Sequence, residues 1–461
     1  MSFELNAGCE LPKSTEDQTK YADINVTYNG TSTTAEVISV KVDENGGQTV
    51  HVNVKNVDRT ALPSVTEFVF GEYGISTFRN LYTTYTETTV DEVTTDTADT
   101  SWYNTTDDEF VIATSADIYG LAKIVNGTAT DITADTFANK TIYVVSDIEV
   151  NKDLSITITE STTVATNGTA TVTGNDFGWT PIGKTTAFAG TFEGNMHTIS
   201  GIYANASEVG LGLFAATVKG STIQNLKLKN SYFYNSYEST ETNGTGSIVG
   251  QCAGNLVNIY SNAYVRGYNY SGGIIGEILT SSDYLLTIKQ CWYDGNVKAG
   301  AYRHGGIVGR IAGGKIVMED CLNTGNIYCS SKTFKGGLCG SVQHDTDYTI
   351  DLTMRNSLNC GLIKDYVSNT NASKVRAGRI VGAIDGASTT VVIGNVYATE
   401  ECYLGTEPTS GCGYKTTKPS CEMSVTIVTE IDLQTWGFDT SIWGLADDGT
   451  PMLNMTPVAT K

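Results

Sequence analysis

Gly272-Gly-Ile-Ile-Gly276 is one copy of a phrase that returns along this chain. It stands as Gly246-Ser-Ile-Val-Gly250 before that copy and as Gly305-Gly-Ile-Val-Gly309, Gly336-Gly-Leu-Cys-Gly340 and Gly378-Arg-Ile-Val-Gly382 after it, with a degenerate first copy at Gly212-Leu-Phe-Ala215. A recurring unit of a few tens of residues is the mark of a solenoid. The closing glycines at 250, 276, 309, 340 and 382 stand 26, 33, 31 and 42 residues apart. That irregular period suits strands of fixed length joined by loops of free length. Two glycines around a β-branched pair make a poor helix, since glycine costs about 1 kcal/mol in a helix interior relative to alanine. As a short apolar strand bounded by tight turns the phrase is natural, with glycine expected to supply the positive φ of a corner.

Each unit carries a second element: Gln290-Cys-Trp-Tyr-Asp-Gly-Asn-Val297, Asp320-Cys-Leu-Asn-Thr-Gly-Asn-Ile327 and Asn356-Ser-Leu-Asn-Cys-Gly-Leu-Ile363. Coils stacked at about 4.8 Å per rung bury what one coil cannot, and like residues then lie over like. The reading is a right-handed parallel β-helix, the hand following from the usual crossover rule. It places Cys291 over Cys321 with Ser357 above them as an inward ladder of small residues, an inter-rung disulfide being the alternative. It also places Asn296 over Asn326 as an amide ladder.

The chain has 461 residues, 17% charged and 40% hydrophobic, with 48 Gly and only 7 Pro. That is the makeup of an extracellular all-β protein. The net charge of −21 makes nucleic acid and anionic membrane surfaces poor partners, because phosphate binding needs basic patches. No run of about 18 apolar residues is present, so no membrane insertion is expected. Residues 1–18 are polar and acidic, unlike a signal peptide, and the expectation is a fragment of a mature protein. Cys402, Cys412 and Cys421 stand close enough in sequence for one loop-closing disulfide, and their spacings do not resemble zinc knuckles. Sequons such as Asn25-Val-Thr27, Asn126-Gly-Thr128 and Asn205-Ala-Ser207 leave glycosylation open.

Residues 20–75 alternate. Ile24, Val26 and Tyr28, then Ile38, Val40 and Val42, then Val50, Val52 and Val54 line strand faces, with turn signals at Asn29-Gly30 and Asn45-Gly-Gly47. The expectation is an immunoglobulin-like β-sandwich. A Thr-rich acidic stretch at 83–109, with no Lys or Arg, reads as a connector or edge strand, without ligands at calcium-loop spacing. One helix is clear: Ser115 reads as its N-cap, Ile118, Leu121, Ala122 and Val125 share a face, and Gly127 stands where a C′ glycine belongs. A helix here plugs the open end of a solenoid. The expected organisation is a sandwich with its connector at 1–105, a parallel β-helix at 110–400 and a C-terminal cap with loops at 401–461.

The helix phrase Ser115-Ala-Asp-Ile-Tyr-Gly-Leu-Ala-Lys-Ile-Val-Asn126 resembles the capping segment of bacterial cell-surface β-helix proteins with GLUG repeats. So do Ser146-Asp-Ile148, Trp179-Thr-Pro-Ile-Gly183, Gly190-Thr-Phe-Glu-Gly-Asn-Met-His-Thr-Ile199 and the Gly-Gly-Ile-Val-Gly repeats. The segment from Phe438-Asp439 through Trp443-Gly-Leu-Ala-Asp-Asp-Gly-Thr-Pro-Met-Leu453 is similar to the way such repeat regions end. The resemblance covers about residues 110–455 and implies an adhesin-like protein. Similar repeats occur in the non-catalytic parts of bacterial immunoglobulin-A proteases.

The proteases of that group carry His-Glu-x-x-His. Here His51, His197, His304 and His344 never fall in that pattern, so the metalloprotease reading fails on its ligands. His197 reads as a packed or turn-stabilising residue and His304 as part of a solvated loop. A polysaccharide-active β-helix needs convergent carboxylates. Asp294 and Asp320 sit in turns of different rungs, and Glu277, Arg310 and Arg303 read as a surface ion pair on adjacent rungs. Neither Gly-x-Ser-x-Gly nor a phosphate loop is present. No catalytic residue, metal or cofactor is expected.

Aromatic residues are the better lead. Tyr232, Tyr234 and Tyr237 crowd one segment, Tyr264 and Tyr268 the next, and Trp292 and Tyr293 follow. Tyrosines stacked along a solenoid offer apolar faces with polar tips, suited to a glycan or a host or cell-surface protein. The expected function is therefore a non-enzymatic, extracellular, adhesin-like protein presenting a binding face on a rod. The alternatives are a structural spacer or a fibre or appendage subunit, self-associating through residues 1–105, and a polysaccharide-active enzyme.

Overall fold

The computed structural model describes the chain except for residues 1, 16–17, 19, 43–45, 58–66, 78–97, 161–167, 175–177, 239–243, 282, 301, 330–333, 344–347, 366–376, 387, 405–411, 416–419 and 457–461. Most of the acidic stretch at 83–109 therefore lies outside the described residues, as does His344. The chain is nearly all-β, with one α-helix among the described residues. Residues 1–90 form one compact unit and residues 91–458 another.

In the first unit the alternating segments form antiparallel strands around Ile24, Val26, Val50, Val52, Phe68 and Phe70. Asn29 and Gly30 both have positive φ, 44° and 75°, as a two-residue turn between right-twisted strands requires. In place of the two packed sheets of the expected immunoglobulin-like sandwich, the described strands form one six-stranded sheet in the order Ser2–Glu4, Gln48–Val54, Thr31–Val42, Ile24–Tyr28, Glu67–Val69, Ile75–Thr77. Its ends approach each other, the Asn6 amide donating to the Tyr73 carbonyl at 2.8 Å and Phe3 stacking on Phe70 at 4.3 Å.

The second unit is a parallel β-solenoid. Each full turn runs through four strands. A repeat strand such as Ile275–Leu279 leads into a long strand such as Leu285–Tyr293. A third such as Asn296–Ala299 and a short fourth such as Arg303–Gly305 complete the turn. Like elements pair in parallel from turn to turn, so that Ile275 lies beside Val308 and Val308 beside Cys339. The interior is a column of Val, Ile, Leu, Phe and buried Cys. The long strands stack Cys291 over Cys321, with Ser357 next. Both thiols are free, so this is the ladder of small residues and not a disulfide. The Cys402 thiol is free as well, and the side chains of Cys412 and Cys421 lie outside the described residues.

The corners depart from expectation in an informative way. No glycine of the five repeat phrases has positive φ. Instead a Cβ on Gly309 would meet the Gly276 carbonyl and the backbone of Ser271, and one on Gly340 the Gly309 carbonyl and the backbone of His304. These glycines are required by close approach of two backbones, not by handed turns. A row of left-handed residues instead follows the long strands: Asn225, Asn258, Gln290, Asp320, Asn356 and Asn395, with φ between 48° and 57°. Pairing register places them in one column. Asn tolerates this conformation because its short amide bonds locally. Within the column the Asn258 amide donates to Asn225 Oδ1 at 2.7 Å and that of Asn395 to Asn356 Oδ1 at 2.7 Å.

The helix spans Ser115–Asn126. Its N-cap is Thr114, one residue before the position expected. The Thr114 hydroxyl accepts from the Asp117 amide at 3.2 Å, and Asp117 Oδ2 accepts from the Thr114 amide at 2.9 Å, a reciprocal pair that Ser115 cannot form with these partners. Gly127 closes the helix in the left-handed conformation. Ile118, Leu121, Ala122 and Val125 join the solenoid interior, and Tyr119 packs on Trp179 at 5.3 Å. Later in the chain, residues 431–455 lie along the outside of the long strands. Leu433, Phe438, Trp443 and Leu453 pack there on Leu322 and Leu358.

Candidate binding face

The third strand of each turn forms a seven-stranded sheet: Tyr203–Ala206, Tyr232–Asn235, Tyr264–Gly267, Asn296–Ala299, Asn326–Cys329, Ile363–Asp365 and Tyr403–Leu404. Alternation sends Phe233, Val265, Val297, Ile327 and Ile363 inward and leaves two outward columns on either side of them. One column is Tyr203, Tyr232, Tyr264, Asn296, Asn326; the other is Asn205, Tyr234, Arg266, Lys298, Tyr328, Lys364.

In the first column the rings stack almost parallel. Tyr203 and Tyr232 lie 5.4 Å apart at 12°, and Tyr232 and Tyr264 5.3 Å apart at 4°. Burial pushes the Tyr232 hydroxyl up to about 12 and raises that of Tyr264 further. The expected amide ladder continues the column, Asn326 Nδ2 donating to Asn296 Oδ1 at 3.4 Å. In the second column the Arg266 guanidinium lies 4.5 Å from the Tyr234 ring centre and Lys364 Nζ 4.9 Å from that of Tyr328. Burial, and then the Arg266 charge, hold the Lys298 ammonium down to about 8.

A β-hairpin excursion lies over the middle of this face. Its strands Ser155–Thr159 and Thr169–Thr173 pair antiparallel. The Tyr264 hydroxyl donates to the Gly168 carbonyl at 3.1 Å, and Lys298 Nζ to Thr169 Oγ1 at 2.8 Å. Lys364 Nζ donates to both carboxylate oxygens of Glu160, at 2.9 and 3.1 Å, and the Tyr328 hydroxyl donates to the same carboxylate. Gly168 has φ of 70°, and a Cβ there would collide with the Tyr328 ring.

The seven aromatic residues singled out in sequence therefore divide. Tyr232, Tyr234 and Tyr264 share this face. Tyr237 is half-buried beside it, its amide donating to Asn235 Oδ1 at 3.1 Å. Tyr268 is half-buried in the next corner, edge-on to Tyr302 at 6.3 Å. Trp292 belongs to the outer side of the long strands, packed beneath residues 431–455 with Nε1 donating to Thr324 Oγ1 at 2.9 Å. Tyr293 is fully inside, its hydroxyl donating to the Ala263 carbonyl at 2.8 Å. Sequence reasoning missed Tyr203, Arg266, Lys298, Tyr328, Lys364 and Glu160. The signal for most of them was present. Tyr264-Val-Arg266, Asn296-Val-Lys298 and Asn326-Ile-Tyr328 each place an inward apolar residue between two outward polar ones, at matched repeat positions.

A second polar group is buried where the repeat and short strands meet. Arg310 Nη1 lies 2.9 Å from Glu277 Oε1, with side-chain exposures of 5% and 2%. The pair expected at the surface is thus an interior one, with the buried Tyr270 ring centre 4.9 Å from the Arg310 guanidinium. Arg303 does not join it; its Nε donates to Gln343 Oε1 at 3.1 Å. His304 stands between Ser271 and Lys335 in the short-strand column. It is fully buried, and neither ring nitrogen has a hydrogen-bond partner. Burial, reinforced by Lys335 and Arg303, holds its pKa down to about 3. The solvated loop expected for His304 is therefore a buried strand. His197 is turn-stabilising, its Nδ1 lying 3.2 Å from Asp147 Oδ1.

Among the described residues no three His, Cys, Asp or Glu side chains stand close enough to hold a metal ion, and no helix is long and apolar enough to cross a membrane.

No family model matches the chain. A stretch of 104 residues is 36% identical to Halomucin of Haloquadratum walsbyi; it makes up 22% of this chain and 1% of Halomucin, so the chain spans about one per cent of that relative's length. A solved Bacteroides ovatus structure, provisionally named an immunoglobulin A1 protease, is similar over 76% of this chain and 93% of its own, with a TM-score of 0.50 and 18% identity. At that identity the likeness is one of fold.

Proposed function

We propose that this chain is a non-catalytic, adhesin-like protein of the cell surface or extracellular space, whose solenoid presents the tyrosine-lined sheet to a glycan. The observation that carries the reading is the Tyr234–Arg266 pair. A half-buried ring and a guanidinium 4.5 Å apart, on a sheet held from both sides by neighbouring rungs, offer an apolar face and forked donors in one rigid place. The acidic, Thr- and Asn-rich composition and the stretch shared with Halomucin support an extracellular setting. The carboxylates support a non-catalytic role, because those near the rungs are committed elsewhere. Glu277 is paired with Arg310, Asp294 accepts from Thr324 Oγ1 at 2.6 Å, and Asp320 accepts from Trp443 Nε1 at 3.3 Å. A glycan-array screen on the folded chain tests the reading. Saturable binding that weakens about fivefold in Tyr234→Ala, the worth of one ring contact near 1 kcal/mol, and that persists in Trp292→Ala, supports it. Binding unaffected by Tyr234→Ala removes the face from consideration.

One observation favours a structural spacer instead: the chain covers two of its outer faces with its own segments, the strands Ser155–Thr159 and Thr169–Thr173 on one and residues 431–455 on the other. On that reading no glycan binds, and assembly through residues 1–105 shows as a concentration-dependent mass in light scattering.

A further inference from the structure

The two covering segments are held in different ways. Residues 431–455 are fixed by an apolar cluster that includes fully packed Leu433, Phe438, Trp443 and Leu453. The 155–173 hairpin buries none of the side chains of its two strands. Among the described residues its contacts with the sheet are polar: Glu160 to Lys364 and Tyr328, Thr169 to Lys298, and the Gly168 carbonyl to Tyr264. Over half of the Glu160 side chain is exposed, 57% against 11% for Lys364, so water competes for its carboxylate and screens the pair from one side. Such contacts exchange readily for equivalent ones.

The surface beneath is unusual for this chain. Three cations and two rings share one column of five successive rungs, in the order Tyr234, Arg266, Lys298, Tyr328, Lys364, in a protein of net charge −21. Lys298 and Lys364 are nine-tenths buried under the hairpin. Holding several cations in a shielded trough is costly unless anions face them. Among the described residues the hairpin brings one carboxylate, Glu160, to the far end of the column, and none pairs with Arg266 at the near end. A linear ligand repeating a carboxylate and a ring with an apolar C–H face would answer the column along its whole length, with guanidinium and ammonium groups donating to carboxylates and tyrosines lying against rings.

We propose that this trough is the binding site of an acidic, uronate-type polysaccharide, and that residues 155–160 and 168–173 occupy it as an internal competitor, with Glu160 in the place of a ligand carboxylate. The proposal rests on the glycan-binding reading given above and names its ligand class and its control.

The test is calorimetric titration of the full chain and of the Glu160→Gln, Arg266→Ala and Lys364→Ala variants with polygalacturonate, neutral dextran and poly-glutamate, thermal melts confirming that each variant is folded. Glu160→Gln is the safer variant, since its side chain is half in solvent. The expected result is binding of polygalacturonate and not of dextran. Glu160→Gln tightens it about 3–10-fold by removing the competitor, and Arg266→Ala weakens it about tenfold or more. The affinity should also fall with added salt. Polygalacturonate binding left unchanged or weakened by Glu160→Gln overturns the proposal, as does equal binding of poly-glutamate, which would make the partner an acidic protein. Should neutral glycans bind and lose affinity in Tyr234→Ala while Glu160→Gln changes nothing, the glycan-binding function stands and the hairpin proposal falls. Should no glycan bind any folded variant, both fall.

Discussion

Asp320 occupies a left-handed position whose column neighbours, Gln290 and Asn356, carry amides. Burial pushes its carboxyl above the usual carboxylate range, opposed in part by the hydrogen bond from Trp443 Nε1. A raised folded pKa means that the native state holds the proton more tightly, so stability is lost as pH rises through that value. Asp320→Asn keeps the turn conformation and an acceptor for Trp443 without the charge. It is expected to stabilise the protein by about 1 kcal/mol at neutral pH and by less near pH 4, as read from urea denaturation at the two values. His304 has the opposite sign. Its pKa of about 3 lies below the 6.5 of a free imidazole, so between those values the unfolded chain binds the extra proton. Stability therefore falls as pH drops through that window, with a slope approaching about 1.4 kcal/mol per pH unit. His304→Gln should flatten that slope in denaturation curves taken from pH 4 to 7, while the carboxylate contributions remain. The imidazole's burial was not readable from Arg303-His-Gly305, because polar residues flanking a glycine look the same in a loop and in a strand packed against another backbone.

At the scale of elements, the repeat phrase identified the solenoid for a reason only half right. The strands and their inward Ile and Val follow from local composition. The glycines answer a contact between chains of atoms distant in sequence, which no window of residues contains. Gly309→Ala should therefore destabilise by about 3 kcal/mol or more through collision with Gly276 and Ser271, where a merely helical or loop glycine would cost about 1 kcal/mol or less; thermal unfolding distinguishes the two. The aromatic segments were visible as clusters, but facing was not. Phe233 between Tyr232 and Tyr234, and Tyr293 beside Trp292, turn to the opposite side because successive residues of a strand alternate, and only register decides which side is inner. The strands Ser155–Thr159 and Thr169–Thr173 left no apolar signature, because the described contacts beside them are polar. The docking of residues 431–455 left one in Trp436, Phe438 and Trp443, but not its destination. Trp443→Ala should cost about 3–5 kcal/mol, seen as faster amide exchange across 431–455 and in the adjoining turns of the long strands.

Taken whole, residues 91–458 form a column in which each rung bonds to the one before and the one after, so that stability is close to a sum of neighbour terms. Such a column is expected to lose rungs singly when stretched from its ends, each of about 30 residues releasing roughly 100 Å of chain at about 3.3–3.6 Å per residue. The segment at 431–455 alters that sequence of events. Trp292, Leu322, Leu358 and Tyr397 are successive rungs of one outward column, and all four pack against it, with Trp436 stacked on Tyr397 at 4.0 Å. Pulled from the C-terminus, the molecule must first shed this clasp, and until it does those four rungs share the load. Single-molecule extension should show one early high-force event followed by a regular series of smaller ones, and Trp443→Ala should abolish the first while leaving the series intact. A segment that sequence presents as a terminal cap is, under tension, a safety catch on the rod.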